Sequence, residues 1–137
     1  MSMDVEGVIT RPSRYAAAET SARLAAWVAA NGMSVFARID HSAGAAAVGM
    51  PLQPVEVLIF GSAKGGTPLM QADPTIGLDL PLKALIWEDG EGGTWLSYHK
   101  VTWLAQGHRL ETGHRLLLDK LDSVLESAAQ HACGSTP

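Results

Sequence analysis

The sequence predicts an α+β fold: one domain whose mainly antiparallel sheet of about five strands carries helices packed largely on one face. Three observations predict it. Apolar runs of strand length outnumber the helical stretches between them. One pair of such runs flanks Asp89-Gly90-Glu91-Gly92-Gly93, whose turn chemistry reads as an antiparallel hairpin with a five-residue loop. Two longer segments repeat apolar residues at helical spacing.

The elements follow in order. Residues 5–9 read as a first strand, interrupted by Arg11-Pro12-Ser13, where Ser13 or a neighbour is placed to cap the next helix. Residues 15–31 read as that helix, since Leu24, Trp27 and Val28 fall at i, i+3 and i+4 and alanines fill much of the rest; Asn31-Gly32 is its stop. Its crossover allows strands 5–9 and 33–40 to run parallel. Residues 33–40 alternate, with Val35, Ala37 and Ile39 on one side. Residues 42–48 predict a short Ala-rich helix. Residues 54–60 predict a strand with apolar residues on both faces, hence a central one covered on both sides. Residues 64–72 predict a short helix closed by Asp73-Pro74. Strands at 80–88 and 94–99 form the hairpin, and 101–106 a helical turn. Residues 113–129 predict the last helix, with Leu117, Leu121, Val124, Leu125 and Ala128 on one stripe and Thr112 as its cap. The core is expected over 5–130, with 131–137 a frayed tail.

Composition bounds the function classes. The 137 residues fit a single domain, and 47% apolar content excludes a disordered chain. The net charge of −4 and scattered basic residues give no footprint for nucleic acid. A single cysteine, Cys133, precludes an intrachain disulfide. Neither a secretory signal nor a membrane span is read in the sequence, so a cytoplasmic location is expected. No His or Cys cluster has zinc spacing, and no metal or cofactor is expected.

Glu19-Thr20 ahead of Leu24, then Phe36-Ala37-Arg38-Ile39-Asp40-His41, Phe60-Gly61 with Lys64, Gly66-Thr67-Pro68-Leu69-Met70, Asp79-Leu80-Pro81-Leu82-Lys83 and Trp87-Glu88-Asp89 stand in a telling order. Together they resemble the bacterial and archaeal family called domain of unknown function 302, over roughly residues 9–110. The resemblance implies a compact α+β domain, often a homodimer, with no agreed activity. This chain departs from the family pattern at Ser62-Ala63 and near His99-Lys100.

The candidate site gathers Asp40, His41, Lys64, Gly66, Thr67, Asp79 and Lys83 around the stretch after the third strand. Backbone N–H groups of consecutive glycines and a lysine suit an anion, although the lysine precedes the glycine pair and the phosphate-loop motif fails. In the structural alternative, Thr67 caps a helix that starts at Pro68. Asp40-His41 is either an acid–base pair or a helix cap. Asp79, embedded in apolar sequence, needs a partner, for which Lys83 four residues on is available. The leading expectation is a homodimeric domain binding a small, possibly anionic, ligand. The alternatives are a small enzyme using Asp40 and His41, and a protein-interaction module.

Overall fold

The apolar alternation builds five strands in the computed structural model, which describes residues 5–110 and 112–134. In chain order the elements are β1 (Val8–Ser13), α1 (Ala17–Ala30), β2 (Ser34–Asp40), α2 (His41–Ala47), β3 (Val55–Gly61), α3 (Ala63–Ala72), β4 (Leu82–Glu88), β5 (Thr94–His99), α4 (Val101–Leu104) and α5 (Arg115–Cys133). A 3₁₀ segment, Pro74–Leu78, links α3 to β4. The fold is α+β, as the sequence predicts.

The sheet order is β1-β5-β4-β3-β2, and every neighbouring pair is antiparallel. It follows that β1 and β2 point the same way but occupy opposite edges, so the α1 crossover spans the whole sheet. Pro12 is tolerated in β1 because an edge strand has one row of N–H groups with no ladder partner. The first strand therefore runs through Arg11-Pro12-Ser13 instead of ending before it.

One face of the sheet is covered over its three central strands. Leu58 and Phe60 of β3, Ala84 and Ile86 of β4, and Leu96 of β5 are buried beneath α1 and α5. Leu24 and Val28 of α1 and Leu121, Leu125 and Ala128 of α5 complete this layer. The alternate residues, among them Val57, Ile59, Leu85, Trp87 and Trp95, are only half-buried. Thus β3 is central but not covered equally on both sides, correcting the expectation from its doubly apolar pattern.

Local chemistry sets the element ends. Asn31 and the left-handed Gly32 (φ 74°) close α1. Its cap position is Ala16, not Ser13; the Ser13 hydroxyl instead pairs with Thr20 Oγ1 at 2.7 Å and accepts from the Tyr15 N–H. The Asp89 carboxylate holds the hairpin loop by accepting from Glu91 N, Gly93 N and the Trp95 indole. The side chain of Thr112, expected to cap the last helix, lies outside the described residues.

The C-terminal end departs from expectation most. Residues 131–133 are the last turn of α5, and Ala132 and Cys133 are 0% exposed. Arg14 N–H donates to the Cys133 carbonyl, and the Arg23 guanidinium donates twice to that of His131. Gly134, in the left-handed region at φ 76°, caps the helix against Tyr15. Burial of the Cys133 thiol pushes its pKa up, so it packs as a small apolar group. Truncation after Gln130 is expected to destabilise the domain by at least about 2 kcal/mol, from the lost burial and main-chain bonds. Urea unfolding of the truncated protein checks this; an unchanged midpoint would return the segment to the status of a tail.

Candidate functional site

The candidate site forms where β3 turns into α3. Gly61 ends the strand at φ 150°, a value that favours glycine, with Phe36 Cε2 and Pro81 Cβ each 3.9 Å from where a side chain would begin. Ser62 then caps α3, its Oγ accepting from Gly65 N at 3.3 Å. Gly65, Gly66 and Pro68 all lie inside this helix, and intrinsically they oppose it by roughly 5 kcal/mol together. Tertiary packing of the fully buried Leu69 offsets that preference.

The first turn also lies beside its neighbours with room for a methyl group. A β-carbon on Gly65 would sit 3.6 Å from Leu121 Cδ2 of α5, and one on Gly66 would sit 3.6 Å from Leu80 Cδ1. The ten-residue α3 borders a cavity of about 610 Å³ between its first turn, the end of α1 and one side of α5. Trp27, Phe36, Met70, Leu117 and Val124 supply apolar wall. Phe36 is 55% exposed because it stands at the bulge between Val35 and Ala37 of β2.

The charges in this cavity are of one sign. Lys64 of α3 and Lys120 of α5 line it, and among the described residues no carboxylate does. Among the described residues neither lysine makes an ion pair. Both lysines are exposed, so solvent screens their charge, but they make the lining basic in a chain of net charge −4. Ser62 and Thr67 add hydroxyls. The arrangement can hold an anion; it offers no pair of groups poised for proton transfer.

The residues singled out in the sequence divide three ways. Lys64, Gly66 and Thr67 line this cavity. Thr67 lies in the helix interior, so it is not the cap, and the glycine pair forms helix in place of a nest. Asp79 and Lys83 line a second cavity of about 300 Å³, together with His99 and Leu104. Asp40 and His41 line neither. The carboxylate of Asp40 caps α2, accepting from Ala43 N at 2.9 Å and from the Ser42 hydroxyl. These bonds, that of Ser42 foremost, hold its pKa below the ordinary value. His41 is exposed at the start of α2.

The expected ion pair between Asp79 and Lys83 is absent among the described residues. Asp79 Oδ2 lies 2.6 Å from His108 Nε2, while Nδ1 of the same ring lies 2.8 Å from Thr75 Oγ1. The Thr75 hydroxyl donates to Asp73 Oδ1, and Asp73 Oδ2 accepts from Arg109 N at 2.8 Å. This array clasps the segment before β4 to the segment after α4. The bond from Arg109 N, then those from Thr75, hold the Asp73 carboxyl below its ordinary range. Sequence reading missed Lys120, Trp27 and Phe36 as cavity residues and His108 as the partner of Asp79.

Comparisons with known proteins bear on this site. The family model described as "Domain of unknown function DUF302" matches residues 9–128. The "Fluoride-specific ion channel FluC 1" of Brucella suis biovar 1 (strain 1330) is 44% identical over 128 residues, 93% of this chain and 50% of that protein. The "Fluoride-specific ion channel FluC 2" of Brucella melitensis biotype 1 is also 44% identical, over 93% of this chain and 47% of its own length. The chain thus spans about half the length of the curated relatives it matches. Among the described residues, no helix is long and apolar enough to cross a membrane. The crystal structure of an uncharacterized conserved protein DUF302 from Bacillus stearothermophilus shares the fold, with a TM-score of 0.83 at 16% identity, over 94% of this chain and 99% of that chain.

Two outcomes are expected from this geometry. A carboxyl with a depressed folded-state pKa contributes stability above its unfolded value and loses it as pH falls through the folded one. For Asp73 the ordinary value is 3.8, so the Asp73→Asn variant should be less stable at neutral pH and lose less stability below pH 3.8 than the parent. Thermal melting across that range measures it, and parallel curves would remove Asp73 from the acid response. Gly65→Ala should stabilise the domain by roughly 0.5–1 kcal/mol, because its methyl meets Leu121 at ordinary contact distance while favouring helix. A loss of stability in urea would mean that α3 and α5 approach more closely than described.

Proposed function

The chain belongs to the DUF302 family, and on that premise we propose that it is a ligand-binding domain that takes a small negatively charged molecule in the cavity between α1, α3 and α5. One observation carries the reading: Lys64 and Lys120 line a cavity of about 610 Å³ that has an apolar wall and, among the described residues, no carboxylate. That volume falls within the range of sites that bury a small organic ligand. The ligand-contacting set is Lys64, Lys120, Ser62, Gly66 and Thr67. Asp79, paired with His108, and Lys83 line the second cavity instead, and the acid–base role of Asp40 and His41 is not carried forward, because the Asp40 carboxylate is engaged in a helix cap.

The Brucella relatives are named for a fluoride channel, and this chain corresponds to half of them. Our reading assigns the chain ligand recognition and not conduction. A strongly hydrated monatomic ion has no use for an apolar wall, whereas a larger organic anion does. We include in the proposal a homodimer joined through the half-buried face of the sheet, where Ile39 is 44% exposed beside Val57, and a cytoplasmic location, which suits a free thiol.

Thermal-shift titration with inorganic phosphate, citrate, adenosine monophosphate, benzoate and octanoate tests the site. At a hundredfold excess over Kd, binding stabilises by about 2.7 kcal/mol, which for a domain of this size raises Tm by about 9 °C. The Lys64→Ala and Lys120→Ala variants, both at exposed positions, should fold and lose most of that shift. No shift with any of these anions, or shifts in both variants as large as in the parent, would overturn the reading.

A further inference from the structure

The geometry points to an amphipathic organic acid as the ligand: an anionic head held between Lys64 and Lys120 and an unbranched or aromatic apolar body along the wall formed by Trp27, Phe36, Met70 and Leu117. This rests on the anion-binding reading above and narrows its ligand class.

Three features of the same cavity support it. First, Lys64 of α3 and Lys120 of α5 line the same cavity, each the chain neighbour of a residue where the two helices approach, and most of the remaining wall is apolar. Second, the volume of about 610 Å³ far exceeds what a phosphate or acetate fills, since one water claims only about 30 Å³ in the liquid. A bare inorganic anion would leave apolar surface wet. Third, Phe36 and Met70 line the cavity yet remain 55% and 36% exposed. Large apolar side chains uncovered around a cavity are the surface that an apolar ligand body would remove from water. Met70 is unbranched and polarizable, which suits it to bodies of varied shape.

Isothermal titration with a straight-chain series, from butyrate to decanoate, tests the inference on the full chain. Octanol and inorganic phosphate serve as controls. Each added methylene should tighten binding about fourfold until the cavity is filled, the effect of burying one CH₂ group. Lys64→Ala and Lys120→Ala should each weaken octanoate at least about tenfold and leave octanol unchanged, as loss of a charge-assisted contact requires; Lys120→Arg should restore most of the affinity. If phosphate or butyrate binds as tightly as octanoate and both lysine variants lose it, the amphipathic inference falls and the anion-binding reading stands. If octanol matches octanoate and the lysine variants are silent, both fall. Absence of binding across the whole series overturns the inference, and phosphate then decides the broader reading separately.

Discussion

The structure depends on α1 and α5 lying together on one face of the five-stranded sheet. Leu24 and Val28 from one helix and Leu121, Leu125 and Ala128 from the other seal Leu58, Phe60, Ile86 and Leu96 away from water. At about 25 cal/mol per Å² of apolar surface, this layer is the dominant favourable term in folding. The C-terminal end of α5 is fixed to the first half of α1 and the segment before it by the Arg23 guanidinium on the His131 carbonyl and by the Gly134 cap against Tyr15. With two long helices already covering the centre, a third element has room only at the margin.

That margin is where the candidate site arises. A strong helix in the α3 position would pack down and fill the space. A helix with two glycines and an internal proline instead rests on Leu69 and on its Ser62 cap, and leaves its first turn standing over a cavity. A β-carbon on either glycine would meet Leu121 or Leu80 only at ordinary contact distance. Weak local propensity and an unfilled interior therefore coincide at one place, together with two lysines that find no acidic partner among the described residues. Such departures from local consistency are characteristic of functional sites. By contrast, the clasp of Asp73, Thr75, Asp79 and His108 satisfies its polar groups internally, and we read it as structural.

Features written in adjacent residues were legible in the sequence, and features made by distant ones were not. The hairpin at Asp89–Gly93, the Asp40 cap and the stop at Asn31-Gly32 depend on a few consecutive residues, and each stands as the sequence predicts. Lys64, Gly66 and Thr67 were found for the same reason, because the chain itself marks the turn into α3. Lys120 sits on what reads as the solvent side of a regular amphipathic helix, and only the approach of α3 turns it into a cavity residue. His108 is 29 residues from Asp79 and carries no pattern linking the two. Leu117 and Val124, read as part of the apolar stripe of the last helix, pack against the core and line the cavity as well. Pro12 misled the first strand boundary, since a proline that breaks a central strand is harmless on an edge.

Amide chemical-shift mapping of the full chain with octanoate tests the central claim most directly. The account predicts that the largest changes fall together on residues 61–67 around the start of α3, on Trp27 and Phe36, and on 117–124 of α5. Changes centred instead on Asp79, Lys83 and His99, or spread thinly over the surface with the start of α3 unaffected, would contradict it.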